Sequence, residues 1–277
     1  LRNQLQRASG TDMPSTLMFD HPTARQLVAA VEQRVVSRES VARASPRSII
    51  TGSGGEGVSV RGSSALFCGG AQDLNAAWHV IRCGHDVVGT VPAARWDASA
   101  PHEVPVGLWE RARHGGFVRG AELADTAAFA ISSTEAAAMD PCQRLLLERG
   151  YGALHDAALD RAALGGSLTG VFLGFAGTEF SQVLAASPAG ASVYAATGAT
   201  CSIASGRLSY ALGLQGPCVT YDTACSAALV ACHGGLRALQ LGECPLGLVS
   251  GVNLVIAPGV SIGFAIAGMT SVRGRSH

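Results

Sequence analysis

The chain has 277 residues, 48% hydrophobic and 14% charged, so it can bury a sizeable core in one or two domains. Its 20 basic and 20 acidic residues give a formal net charge of zero, which argues against nucleic acid or an anionic membrane surface as a partner. The eight cysteines show no Cys-x-x-Cys pair and no Cys/His spacing typical of zinc, and the first residues lack a signal-segment pattern. We therefore expect a cytoplasmic protein without a metal site, whose reduced cysteines are mostly small core residues.

Residues 1–36 predict a small all-α unit. Thr23 fits a helix N-cap, with Gln26 three residues later as in a capping box. Four apolar residues then share one helical face: Leu27, Val28, Val31 and Val35. The next residues, 37–57, are rich in Ser, Arg and Gly without sustained periodicity, which indicates a linker.

From Val58 onward, strand-like and helix-like segments alternate, which favours a layered α/β domain over residues 58–277. The helical candidates are DLNAAWHVIRCG, AAAMDPCQRLLLERGYGALHDAAL and CSAALVACHGGLRALQLG. The strand candidates are VSVRGSSALF, TGVFLGF, CVTYD and LGLVSGVNLVI.

Residues 245–272 carry no charge and are numerous enough to span a membrane as a helix. Because they include Pro258, Asn253 and five glycines, we interpret them as two buried strands joined by a turn. Within them, GVSIG (259–263) matches the Gly-x-Ser-x-Gly pattern of serine hydrolases. No acidic residue follows Ser261 to complete a triad in the order which that fold requires, so we reject this interpretation.

A second glycine-rich stretch, GSGGEG (52–57), fits the spacing of a dinucleotide-binding loop. Such a loop follows a strand and opens a helix. Here a Ser-rich segment precedes it and a strand is predicted after it, so nucleotide binding is not expected.

Cys225 lies between the predicted strand CVTYD and a helix predicted to begin near Ser226. Unpaired N–H groups and the helix dipole stabilise a thiolate at that position, and the thiolate is the nucleophilic form. The small neighbouring residues leave room for a substrate, and the backbone N–H of Cys225 is a candidate oxyanion donor. Residue types and spacing leave a second interpretation open, a small buried residue, as we expect for Cys232 one heptad later.

The segment GPCVTYDTACSAALVA resembles the active-site segment of β-ketoacyl synthase domains of modular (type I) polyketide synthases, where the Cys of D-T-A-C-S accepts the acyl chain. Further landmarks follow in family order between Val58 and Arg275: VPAARWD, AAAMDPCQRLLLE, GVFLGF, YAATGATCSIASGRLSYALGLQGP, GECPLGLVSGVNLVIAPG and AGMTSVRGR. Two positions depart from the family pattern. The segment ALFCGG (65–70) occupies the place of the family's C-R-F-P-G-G, and Cys142 occupies a position where a second Gln is usual.

The resemblance implies a thiolase-like fold of αβαβα layers, of which this chain holds a truncated N-terminal half, with Cys225 as nucleophile. The implied reaction is acyl transfer to Cys225 and decarboxylative Claisen condensation with a carrier-bound malonyl-type extender. The synthase itself binds no cofactor, and phosphopantetheine is carried by partner acyl carrier domains that bring the acyl and malonyl thioesters. The full-length protein is expected to be a homodimer.

Residues 1–36 resemble the C-terminal helices of an acyl carrier protein, whose phosphopantetheine-bearing serine would lie upstream of Leu1. The family's two catalytic histidines stand in H-G-T-G-T and N-x-G-H contexts, whereas only His233 and His277 follow Cys225 here, in neither context. We therefore expect this chain alone not to condense. Two alternatives stay open: a non-decarboxylating cysteine acyltransferase of thiolase-like fold, and a catalytically inactive docking or dimerisation fragment.

Overall fold

The computed structural model describes residues 2–9, 28–32, 57–97, 105–177 and 179–276. The chain divides into two compact units, Leu1–Glu56 and Gly57–His277. In the first unit, α1 (Arg2–Ser9) and residues 28–32 are helical, and Leu5, Val28, Val31 and Glu32 line one open pocket. The structure thus agrees with the predicted common face of Val28 and Val31. Other predictions for this unit and for the linker lie outside the described residues: Thr23, Gln26, Leu27, Val35 and 37–56.

The described helices of the second unit are α2 (Leu74–Arg82), α3 (Val106–Ala112), α4 (Ser133–Ala137), α5 (Pro141–Asp156), α6 (Arg161–Leu164), α7 (Phe180–Ala185), α8 (Ala195–Gly198), α9 (Cys201–Leu212), α10 (Ala227–Gln240) and α11 (Pro258–Ile266). Its strands are β1 (Gly89–Thr90), β2 (His114–Gly115), β3 (Gly170–Phe175), β4 (Cys218–Tyr221) and β5 (Gly247–Val252). Among the described residues, no helix is both long enough and apolar enough to cross a membrane.

A three-stranded parallel sheet with the order β4-β3-β5 forms the centre of the second unit. All six residues of β3 are buried, as expected for the central strand of a parallel sheet. Because the three strands run in the same direction, their carboxyl ends meet at one edge. β1 and β2 form a separate antiparallel pair.

Alternate residues of β3 face two different helical layers, as the period of two in a strand requires. Val171, Leu173 and Phe175 belong to the main core, which also contains the buried leucines of α5 and α9. Phe172 points into a second cluster with Ala231 and Ala238 of α10. The sheet is therefore covered by α10 on one face and by α5 and α9 on the other.

Helix α10 lies so close to the sheet that glycine is required beneath its first turn. A Cβ atom added at Gly174 of β3 would lie 2.4 Å from the backbone nitrogen of Ala228 and 2.5 Å from the carbonyl carbon of Ala227. One added at Gly251 of β5 would lie 2.7 Å from the Cβ of Ala228. These distances are far below a normal van der Waals contact, so both positions depend on the absence of a side chain.

The predicted helices α2, α5 and α10 and the predicted strands β3, β4 and β5 are confirmed. The predicted helix AAAMDPCQRLLLERGYGALHDAAL is, however, divided between the end of α4 and α5. The break falls before Pro141, because a proline disfavours helical backbone in the residue that precedes it. Asp140 caps α5 by accepting a hydrogen bond from the N–H of Cys142 at 2.7 Å, and Pro141 suits the first helical position.

Two strand predictions are wrong. Residues 58–66 form neither strand nor helix; they lie against α5, where the N–H of Ser63 donates to Asp156 Oδ2 at 2.8 Å. No helix begins directly after GSGGEG, as a dinucleotide-binding loop would require.

The second error concerns GVSIG, which lies inside α11 and not in a turn between strands. A continuous apolar run does not distinguish a buried strand from a buried helix, and Pro258 at the first helical position favours the helix. Ser261 is therefore an interior residue of a helix, and it does not occupy the strand-to-helix turn that a hydrolase nucleophile needs.

We predict that Gly174→Ala lowers the free energy of unfolding by about 1–3 kcal/mol, the usual effect of overpacking, because the new Cβ must displace the first turn of α10. The measurement is chemical denaturation of both variants. The matched control is Gly89→Ala in β1, where an added Cβ meets no atom within 4 Å. Equal losses in the two variants would contradict the close-approach argument.

Candidate active site

Cys225 lies in the 3-10 turn Ala224–Ser226, which joins β4 to α10. Ser226 is the N-cap of α10, and its first helical residue is Ala227. The predicted strand, turn and helix around Cys225 are thus confirmed, and the Cys225 side chain is exposed. The turn follows the carboxyl end of β4, at the edge where the ends of β3 and β5 also lie.

The turn that carries Cys225 is backbone-strained and internally hydrogen-bonded. Ala224 has a φ of 53°, in the left-handed region that a residue with a side chain rarely adopts. The hydroxyl of Ser226 donates to the carbonyl of Thr223 at 2.8 Å and lies 2.9 Å from its hydroxyl oxygen. The N–H of Ala224 donates to Asp222 Oδ1 at 3.3 Å. These bonds offset a strain of about 1–3 kcal/mol.

The backbone N–H of Cys225 precedes the first backbone hydrogen bond of the turn and of α10. The first bond of the turn is made one residue later, from the N–H of Ser226 to the carbonyl of Thr223 at 3.3 Å. Leading N–H groups of a helix have no intrahelical acceptor and carry the positive end of its dipole. The geometry is therefore suited to stabilising negative charge next to Cys225.

The loop after β5 is tied to the segment after β3 by Glu179. Its Oε2 accepts hydrogen bonds from the N–H groups of Ile256 at 2.7 Å and Ala257 at 2.8 Å. Sequence reasoning did not single out Glu179, since these bonds join residues 77 and 78 positions apart and leave no local pattern.

Gln143 organises the chain in front of α9. Its side chain is almost fully buried, and its amide nitrogen donates to the carbonyls of Thr197, Gly198 and Thr200. Its amide oxygen accepts from Arg207 Nε at 3.0 Å, and Arg207 is also ion-paired with Glu135. These bonds fix the segment that leads into α9, on the face of the sheet opposite α10.

The cysteines divide by burial differently from the prediction. Cys142 and Cys244 are buried and Cys68 and Cys201 are half-buried, but four are exposed: Cys83, Cys218, Cys225 and Cys232. The expectation that most cysteines, including Cys232, lie in the core is therefore wrong. The buried face of α10 is formed by four other residues: Ala227, Ala231, Gly235 and Ala238.

Burial raises the pKa of the thiols of Cys142, Cys201 and Cys244. Desolvation is the largest cause in each, because it disfavours the charged thiolate. These three side chains are accordingly held as unreactive thiols.

His233 is exposed on α10, six residues beyond Ala227, which places it about 9 Å further along the helix axis. It is thus too far along the helix to contact the Cys225 thiol. His277 lies outside the described residues.

Comparison with known proteins gives a consistent result. The profile of the β-ketoacyl synthase N-terminal domain matches residues 55–277. The polyketide synthase GfsB of Streptomyces halstedii is 40% identical over 280 residues, which cover 99% of this chain and 5% of that protein. Erythronolide synthase EryA3 of Saccharopolyspora erythraea is 37% identical over 281 residues, covering 99% of this chain and 9% of that protein. The chain thus spans less than a tenth of the length of either relative.

Solved structures agree with the sequence relatives. The ketosynthase from module 6 of the bacillaene synthase of Bacillus subtilis 168 superposes with a TM-score of 0.69 at 31% identity, over 78% of this chain and 35% of that chain. The oxazolomycin ketosynthase domain OzmH KS7 of Streptomyces albus JA3453 gives a TM-score of 0.67 at 31% identity, over 78% of this chain and 38% of that one. The α/β architecture around Cys225 is therefore that of a thiolase-like ketosynthase, and the chain belongs to the β-ketoacyl synthase family of modular polyketide synthases.

Proposed function

We propose that this chain is part of a β-ketoacyl synthase in which Cys225 is the acyl-accepting nucleophile. The observation that carries the proposal is the exposed thiol of Cys225 in a strained turn between the carboxyl end of β4 and the start of α10. A cysteine at such a junction combines access for a substrate with the positive end of a helix dipole.

In the first step, the Cys225 thiolate attacks the carbonyl carbon of an acyl thioester on an acyl carrier domain. The backbone N–H of Cys225 donates to the oxyanion that forms. The intermediate collapses with departure of the phosphopantetheine thiolate, which takes up a proton, and the acyl group remains as a thioester on Cys225. Phosphopantetheine thus belongs to the carrier partner, and the synthase needs no cofactor of its own.

In the second step, a malonyl-type extender on a carrier domain loses carbon dioxide. The resulting carbanion attacks the acyl carbonyl, the new carbon–carbon bond forms, and Cys225 leaves as its thiolate. The family performs this step with two histidines whose sequence contexts do not follow Cys225 in this chain. We propose that the chain alone accepts an acyl group without condensing it, and that condensation belongs to the longer protein.

For the remaining residues we propose an acyl carrier remnant over 1–36, a linker over 37–57 and a partial ketosynthase over 58–277. The boundary between Glu56 and Gly57 that separates the two compact units supports this division, as does the start of the family match at residue 55.

We further propose a homodimeric, cytoplasmic parent protein without nucleic-acid partners. Strand β4 is an edge of the sheet, and apolar side chains near it are exposed, including Val219 of β4 and Leu229 of α10. Such an edge needs a cover, which a second subunit supplies. Two alternatives are separated by the tests below: a non-decarboxylating cysteine acyltransferase would still be acylated at Cys225, whereas an inactive docking fragment would not.

We predict that iodoacetamide alkylates Cys225 several-fold faster than Cys232. Both side chains are exposed, but Cys232 lies within α10, whereas Cys225 is next to the N–H groups and positive dipole end of that helix. The measurement is peptide mass spectrometry after a time course with limiting reagent. Equal rates, or a faster Cys232, would show that the turn does not activate the thiol.

We also predict that a short acyl pantetheine thioester acylates the chain at Cys225. Cys225→Ala should lose this adduct, whereas the matched variant Cys232→Ala should keep it. Intact-mass and peptide mass spectrometry detect the transfer.

With malonyl-pantetheine present, we expect no carbon dioxide release by the chain alone. Release that depends on Cys225 would refute the proposal that the chain does not condense. Absence of any Cys225 adduct would favour the inactive docking fragment.

A further inference from the structure

A cluster of metal-ligating side chains lies at the end of α2. His79, Cys83 and His85 are all exposed, and each offers one ligand atom such that the three atoms lie within 4.8 Å of one another. Cys83 Sγ is 3.8 Å from each ring nitrogen of His79, and the rings of His79 and His85 meet edge to face with centroids 5.6 Å apart. We propose that these three side chains form a surface site for a zinc-class divalent ion, with the fourth position open to water.

Local backbone geometry brings the three residues together. His79 and Cys83 are one helical turn apart and share a face of α2. The helix then ends in a Schellman motif: the N–H of Gly84 donates to Ile81 and the N–H of His85 donates to Val80. Gly84 has a φ of 62°, which turns the chain back so that His85 returns to the last turn of the helix.

The three ligand atoms lie within 4.8 Å of one another, so they reach tetrahedral distances once side-chain rotations bring them closer together. With a metal–sulfur bond of about 2.3 Å and metal–nitrogen bonds of about 2.0 Å, tetrahedral ligand atoms lie about 3.5 Å apart. The observed 3.8 Å between Cys83 Sγ and the His79 nitrogens is close to that value. A rotation of the His79 ring turns either nitrogen toward the ion.

The donor set selects the metal. Two imidazoles and one thiolate favour Zn²⁺ and related ions over Mg²⁺ or Ca²⁺, which prefer oxygen ligands. The nearest carboxylate in sequence, Asp86, is already engaged. Its Oδ2 accepts from Arg275 Nε at 2.6 Å and its Oδ1 from the N–H of Val88 at 3.1 Å. The fourth ligand is therefore water or a group from outside the cluster.

The sequence spacing His-x₃-Cys-x-His does not match the paired Cys/His spacings of zinc fingers, and on that basis the sequence predicted no metal site. The three-dimensional arrangement is the reason for proposing one here. The proposal does not rest on the assignment of Cys225.

The test is titration of the reduced, full 277-residue chain with Co²⁺, which reports tetrahedral thiolate coordination through its visible bands and its sulfur-to-cobalt charge-transfer band. We expect saturation at one equivalent, displacement of the bands by Zn²⁺, and a higher melting temperature in Zn²⁺ because the ion binds the folded state.

Cys83→Ser should abolish the charge-transfer band. His85→Ala should weaken Co²⁺ binding by more than the roughly 10–100-fold lost with an outer-shell partner.

Two matched variants separate this site from other surface groups. Cys232→Ser removes another exposed cysteine, and His155→Ala removes another exposed histidine at the end of a helix; neither should change the Co²⁺ spectrum. His85 lies beyond α2, so His85→Ala keeps the helix, as circular dichroism will show. A chain without saturable tetrahedral bands, or bands that survive Cys83→Ser, would overturn the proposal.

Discussion

The position of Cys225 depends on the close approach of α10 to the parallel sheet. Gly174 and Gly251 leave no side chain beneath the first turn of the helix, so its backbone rests directly on β3 and β5. Because the end of β4 and the start of α10 are both fixed, the chain must connect them within the few residues between Tyr221 and Ala227. The left-handed backbone of Ala224 follows from this closure, and the hydrogen bonds of Ser226 to Thr223 stabilise it.

A helix N-terminus does not by itself make a cysteine a nucleophile in this fold. Cys201 is the first residue of α9, and Cys225 lies two residues before the first residue of α10. Desolvation raises the pKa of Cys201, and the negative charge of Asp222 raises it further, so the dipole of α9 is outweighed. Cys225 has the same kind of terminus with an exposed side chain. The exposure of its side chain at the edge of the sheet therefore distinguishes Cys225 from Cys201.

The elements that sequence reasoning predicted correctly carry local signals. Asp73 caps α2 through the N–H of Ala76, Asp140 caps α5, and β3 reads as a short apolar run between turn residues. One error lies where the signal is degenerate. Residues 258–266 carry no polar side chain except that of Ser261, so no period separates helix from strand. The strain at Ala224 and the hydrogen bonds accepted by Glu179 could not be predicted from the sequence, because neither produces a pattern in the neighbouring residues.

The two sites therefore differ in what holds them. The turn of Cys225 is positioned by tertiary packing, since Gly174 and Gly251 on two strands let the first turn of α10 lie directly on the sheet. The cluster of His79, Cys83 and His85 is held by one helix end and its Schellman motif. Local motifs form wherever their own turn forms, whereas packed junctions need the assembled core. Loosening the contact between α10 and the sheet should thus disturb Cys225 while leaving the histidine–cysteine cluster intact.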